Sequence, residues 1–304
     1  MGSQDVKEKS RLMDQAQTLR LMRSRSEASS SRSVTRVISV TSGKGGVGKT
    51  NTVVNLAVAL GRLGRRVLIF DADMGLANVD VLLGLKIEHT LHDVFTGQKS
   101  LEEIIIEGPE GVSIIPSASG VEAVSELTAD QQLMLLDAVE QVAAHFDYLL
   151  IDTRAGIGAD VMYFNSASSE VICVVNPEPT SLTDAYALIK ILSRDYGEKS
   201  ISVLVNNVSS EKEALATFRR LERSTQRFLH IELKYTGFVP ADTAVREAVQ
   251  EQRALLQLFP SSPAALATSA LARRMDSDFH ALKIKGGMQF FFRQLLEAGV
   301  NGGC

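Results

Sequence analysis

The stretch from Val37 to Leu60 restricts the fold more than any other part of the chain. An apolar run, Val37-Ile38-Ser39-Val40, leads into Gly43-Lys44-Gly45-Gly46-Val47-Gly48-Lys49-Thr50, and a helical pattern from Asn51 to Leu60 leads out. Strand, glycine-rich turn and helix, in that order, form the context that a phosphate-binding loop requires. Glycines let the backbone turn without Cβ clashes and aim its N–H groups inward. Those groups, with the N-terminus of the following helix, favour an anion. The pattern G-x-x-x-x-G-K-[ST] is met in full by Gly43, Gly48, Lys49 and Thr50. Lys49 has the reach for β- and γ-phosphates, and Thr50 carries a hydroxyl suited to Mg²⁺. Lys44 is a second lysine, placed directly after the first glycine. The alternative is a glycine-rich turn that binds nothing, and the complete motif in its proper context speaks against it.

Beyond this loop the chain alternates apolar runs with helical patterns. Arg66–Phe70, Val112–Ile115, Tyr148–Ile151, Val171–Val175, Ile201–Val205 and Tyr235–Val239 are apolar without alternation, as expected of strands covered on both faces. Residues 52–63, 128–145, 182–196, 211–228 and 243–252 have helical spacing. Strand–helix alternation predicts an α/β fold with a doubly wound, mostly parallel sheet. Ligands of such folds bind at the carboxyl ends of the strands.

Those ends carry the candidate chemistry. The second run ends in Asp71-Ala72-Asp73, with Asn78 and Asp80 close behind. A carboxylate at such a tip can orient or deprotonate a water, or hold the water shell of Mg²⁺. A turn or helix-cap acid is the alternative for each. The run Tyr148–Ile151 ends in Asp152-Thr153-Arg154-Ala155-Gly156. Four apolar residues and an Asp form a Walker B pattern, which places a carboxylate near Mg²⁺. Gly156 allows close backbone approach to a γ-phosphate. The remaining tips are Asn176-Pro177-Glu178-Pro179-Thr180, Asn206-Asn207 and Pro240-Ala241-Asp242. No N/T-K-x-D guanine motif is present, which favours adenine. Asn206 or Asn207 is suited to hydrogen-bond the base and Pro240 to pack on it, with capping and turn roles as equal competitors.

Composition sets the remaining bounds. In 304 residues the net charge is −4, but the first 36 residues carry eight Lys/Arg against four Asp/Glu, leaving a body of −8. A basic arm on an acidic body is an interaction-tail pattern, or a solvated tail. Residues 4–22 are spaced as a short amphipathic helix with Leu12, Met13, Ala16, Leu19 and Leu21 among charges, and the stretch 24–35 holds six serines. A segment of that composition reads as a flexible linker. Two cysteines, Cys173 and Cys304, make neither a disulfide framework nor a CxxC site, which fits a reducing cytoplasm and excludes iron–sulfur chemistry. No run has the length of a spanning helix. Near the C-terminus, Met288, Phe291, Phe292, Leu295 and Leu296 fall on one helical face after Gly286-Gly287. That face suits a membrane interface or the body of the protein itself. The expected organisation is 1–23 helix, 24–35 linker, 36–285 nucleotide-binding domain and 286–304 amphipathic segment.

With these motifs assembled, the chain resembles the MinD/ParA family of P-loop ATPases, whose deviant Walker A motif is K-G-G-x-G-K-[ST]. Within it the chain resembles the FlhG/FleN branch, which regulates flagellar number and placement. Asp14-Gln15-Ala16-Gln17-Thr18-Leu19-Arg20 fits that branch's D-Q-A-x-x-L-R element, and Asp71–Leu85, Pro179–Lys190 and Ala244–Arg253 also resemble that branch. The resemblance implies ATP/ADP and Mg²⁺ as cofactors and a slow ATPase working as a nucleotide-sandwich homodimer. In that dimer Lys44 reaches the partner's phosphates and Asp73 is the hydrolytic carboxylate. Thr50, Asp71 and Asp152 are expected at Mg²⁺, and Gly43 through Asn51, Asn206, Pro240 and Asp242 around the nucleotide. It further implies that Asp14, Gln15, Ala16, Leu19 and Arg20 form the element that stimulates the signal-recognition-type GTPase FlhF. The C-terminal face would bind the inner side of the cell membrane at the flagellated pole. Flagellar C-ring proteins and a flagellar transcription regulator are the further partners expected, and no nucleic acid. A MinD/ParA relative that positions a division or DNA cargo, and a scaffold merely shaped by ATP, are the rival readings. Arg154 departs from the family, which has a small residue or proline there.

Overall fold

The computed structural model describes residues 35–73, 78–116, 135 and 138–279. The D-Q-A element, the serine-rich linker, Met74–Ala77 and the Met288–Leu296 stripe lie outside the described residues. Eight strands form one sheet: β1 Arg36–Thr41, β2 Val67–Asp71, β3 Ile106–Glu107, β4 Ser113–Ile115, β5 Tyr148–Asp152, β6 Glu170–Val175, β7 Ser200–Val208 and β8 Glu232–Pro240. Their spatial order is β3-β4-β2-β5-β1-β6-β7-β8, and every pair is parallel except β3–β4. The doubly wound, mostly parallel sheet expected from the alternation is therefore present. The two-residue β3 is the addition, too short to carry a pattern of its own.

Among the described residues the α-helices include α1 Lys49–Arg62, α2 Val79–Leu83, α3 Leu91–Phe95, α4 Ala159–Ala167, α5 Pro179–Asp195, α6 Glu211–Phe228, α7 Thr243–Gln250, α8 Leu255–Leu258 and α9 Pro263–Phe279. All six residues of β1 are buried. Ile38 and Val40 point into a core shared with α1, α8 and α9. Val37, on the opposite face, joins Leu68, Phe70, Leu149, Ile151 and Phe164. A third core lies under α5 and α6, where Val203 and Val205 meet Leu188, Ile189, Phe218 and Leu221. Burial on both faces is why the strand signals in the sequence are continuous rather than alternating.

From β1 the chain moves to β2 and outwards to β3 and β4, returns through β5 to the side of β1, and then runs outwards on the other side through β6, β7 and β8. The crevice at the carboxyl ends of β5, β1 and β6 is thus the switch point where α/β sheets bind ligands. The opposite, amino-terminal edge is closed by charge pairs. Arg36 pairs with Glu170 and also donates to the carbonyl of Met275 in α9, and Arg65 pairs with Asp276 at 2.7 Å.

Candidate nucleotide-binding site

The loop after β1 fills the switch point. Its last glycine, Gly48, caps α1 in the left-handed region with φ 93°, and Gly46 has φ 75°. A side chain at 48 would be strained twice over, because its Cβ would also lie 2.3 Å from Nδ2 of Asn206. That amide donates to the Val47 carbonyl at 2.8 Å, so β7 holds the loop from the side. Gly43 makes a different close approach. A Cβ there would stand 2.1 Å from the carbonyl carbon of Asp184, in the first turns of α5. Since the obstacle is backbone, Gly43→Ala has to push α5 away. It is expected to cost about 1–3 kcal/mol in urea unfolding, as overpacked cores do.

Asp71 and Asp152 end neighbouring strands and are register partners, each 1% exposed. Asp71 accepts the backbone N–H groups of Asp73, Asn78 and Val79 at 3.1–3.2 Å. It therefore anchors the segment that carries Asp73, whose Oδ2 accepts from the Asn78 amide at 3.2 Å. Asp152 is different. No hydrogen bond of ordinary length reaches either of its carboxylate oxygens. Burial pushes its pKa up to about 6, against the pull of the Lys49 ammonium and the Thr50 hydroxyl. Burial, and then the charge of Asp152, push Asp71 up to about 7. A buried carboxylate with bare oxygens, next to a lysine and a threonine hydroxyl, fits a divalent cation shared with phosphates.

The sign of the pH effect follows. The folded chain holds protons on these two carboxyls that the unfolded chain gives up near pH 4. Without a cation, stability falls as pH rises from about 4 to 7, because the folded state then binds more protons. Asp152→Asn is expected to raise the melting temperature of the nucleotide-free protein at pH 8, by about 2–4 °C per kcal/mol recovered. It is also expected to erase the Mg²⁺-dependent gain in stability that nucleotide should give the native chain. Thermal melts at pH 5 and pH 8 with and without Mg²⁺ check both.

Lys44 has other partners than Lys49. Its Nζ donates to Glu178 Oε2 at 2.6 Å and to Thr180 Oγ1 at 3.0 Å, and the side chain is 37% exposed. Glu178 and Thr180 belong to a strand tip noticed in the sequence, but no spacing connects them to a lysine 134 residues away. Asn51 lies in the first turn of α1, where its carbonyl accepts the Asn55 amide at 2.8 Å. Pro240 closes β8. The Asp242 carboxylate caps two helices, accepting from Ala244 N in α7 and Ala264 N in α9 at 3.0 Å each. Burial pushes its pKa up, but those N–H groups outweigh burial and hold it below the usual range.

A family model described as an AAA domain matches residues 35–203. The antiactivator FleN of Pseudomonas aeruginosa is 48% identical over 267 residues, covering 88% of this chain and 95% of that protein. The chain belongs to the FlhG/FleN branch of the MinD/ParA ATPases. The flagellum site-determining protein YlxH of Helicobacter pylori is 37% identical over 86% of this chain and 90% of its own length. A solved septum site-determining protein, MinD of Pyrococcus horikoshii complexed with Mg-ADP, superposes with a TM-score of 0.64. It is 29% identical and covers 80% of this chain and 96% of that one. The fold is thus that of a MinD-like ATPase. Among the described residues no helix is long and apolar enough to cross a membrane.

Proposed function

We propose that this FlhG/FleN-type chain is a Mg²⁺-dependent ATPase switch, in which ATP joins two copies and hydrolysis releases them. The observation that carries the reading is the separation of the two lysines. Lys49 sits by Asp152 in the crevice, whereas Lys44 is half-exposed and held by Glu178 and Thr180. A lysine so placed is available to a second molecule's phosphates once Glu178 releases it.

The loop from Gly43 to Thr50 binds the phosphates through its N–H groups, and Lys49 neutralises them. Mg²⁺, held by Thr50 and Asp152, would neutralise charge on the β- and γ-oxygens. Asp71, whose oxygens take three backbone N–H groups, keeps Asp73 at the strand tip. Asp73 orients the attacking water and receives its proton. The likeness to FleN and YlxH supports a role in setting flagellar number and placement. In this proposal Gln15 and its neighbours act on FlhF, the Met288–Leu296 face meets the membrane at the pole, and C-ring proteins and a transcription regulator read the dimer. Single-turnover phosphate release tests the enzymatic part. Release of one phosphate per bound ATP supports it, and bound ATP that stays intact makes the chain a nucleotide-shaped scaffold.

A further inference from the structure

Arg154, the departure noted in the sequence, is anchored by a partner. Its Nη2 lies 3.5 Å from Oδ1 of Asp160, in the first turn of α4. The Asp160 side chain is 8% exposed and that of Arg154 47%. The pair passes directly over Gly158. A Cβ on Gly158 would lie 2.5 Å from the Asp160 oxygen and 3.1 Å from the Arg154 nitrogen. Arg154 and Asp160 thus tie together the two ends of a short loop. Inside that loop Gly156 has φ 104° with open space around it, and Ile157 is 51% exposed. The N–H of Gly156 already donates to the Ser42 carbonyl at 2.9 Å.

We infer that the Arg154–Asp160 pair is a strap that holds the loop after β5 with the Gly156 N–H on the Ser42 carbonyl and so opposes its closure on a γ-phosphate. The inference rests on the reading above, in which a γ-phosphate switches this loop. For the Gly156 N–H to face a phosphate it has to leave Ser42, and the residues on either side have to move with it. An ion pair spanning that hinge favours the state in which it is made, and a ligand shifts the equilibrium only by its differential affinity. Asp160 does not depend on Arg154 for its charge to be tolerated, because it faces the N-terminus of α4. Losing the pair therefore changes the balance between two loop shapes without unfolding the helix. An exposed-to-half-buried pair of this kind is worth roughly a two- to fivefold change in an equilibrium.

The test is the ratio of affinities for ATPγS and ADP, measured with the full chain and Mg²⁺. Arg154→Ala, Asp160→Asn and Gly158→Ala are each expected to raise the preference for ATPγS about two- to fivefold, with ADP affinity unchanged. At φ −61° position 158 accepts alanine without backbone strain, so this variant breaks only the strap. The Arg154→Ala/Asp160→Asn double variant is expected to show no more than either single change, as partners in one interaction do. Arg154→Lys, which keeps the charge, is expected to stay near the native ratio. The strap is overturned if Arg154→Ala lowers the preference, which would put the guanidinium on the phosphate itself. It is equally overturned if the single effects add, or if none of the variants departs from native. A native chain that binds ATPγS and ADP alike overturns the γ-phosphate switch, and the strap with it.

Discussion

Asp73→Ala is expected to lower kcat roughly 10²–10⁴-fold, the usual contribution of a positioned general base, while ATP is still bound. The structure explains why the loss should be confined to chemistry. The backbone of this segment is held by Asp71, which takes the N–H groups of Asp73, Asn78 and Val79. Removing the Asp73 carboxylate gives up the Asn78 amide contact at 3.2 Å and leaves that anchor intact. That contact is worth about 1 kcal/mol, the net value of an ordinary hydrogen bond. ATP that is bound but not cleaved keeps two copies joined, so the variant should accumulate as a dimer. Steady-state phosphate release, read beside nucleotide binding, checks the first part.

Lys44→Ala is expected to do the reverse. It should leave the monomer's fold and its nucleotide binding intact, yet prevent ATP-dependent pairing. Among the described residues the Lys44 ammonium pairs with the exposed Glu178 and Thr180, and such surface pairs add about 0–1 kcal/mol at most. In the dimer the same lysine would face a partner's phosphates, where charge develops during transfer. Loss of one such preorganised group costs roughly 10²–10³-fold in rate. Hydrolysis should therefore fall to a slow rate that no longer depends on protein concentration. A variant that still pairs with ATP would remove Lys44 from the interface.

The parts of this structure that were legible in the sequence are those governed by local pattern. Strands β1, β2, β5 and β6 stood out because burial on both faces writes continuous apolar runs, the edge strand β8 carries only a partly buried run, and β3 did not stand out because two residues write none. Helix α6 was readable end to end, since its charged and apolar faces separate cleanly. Helix α9 was not recognised, because its buried side mixes Ala264, Ala265, Ala272 and Thr268 with only two large apolar residues, Leu271 and Met275, and leaves a weak stripe. The phosphate loop, Asp73 and Asp152 were visible as polar residues at strand ends. What local pattern could not supply is the partner of each charge. The Lys44–Glu178 contact spans 134 residues and Arg36–Glu170 the same separation. That Asp71 anchors backbone, that Asn206 holds the Val47 carbonyl and that Asp242 caps two helices all depend on how distant elements meet. Arg154 was conspicuous as a departure, but the strap with Asp160 needed the glycine at 158 to be seen in place.

The account turns on nucleotide-controlled pairing, and size-exclusion chromatography with light scattering tests it most directly. The native chain and its Asp73→Ala variant would each be run with Mg-ADP and with Mg-ATP. Both are expected as monomers with ADP, and the variant as a stable dimer with ATP. An Asp73→Ala variant that stays monomeric with saturating ATP, or a native chain that pairs equally well with ADP, would contradict it.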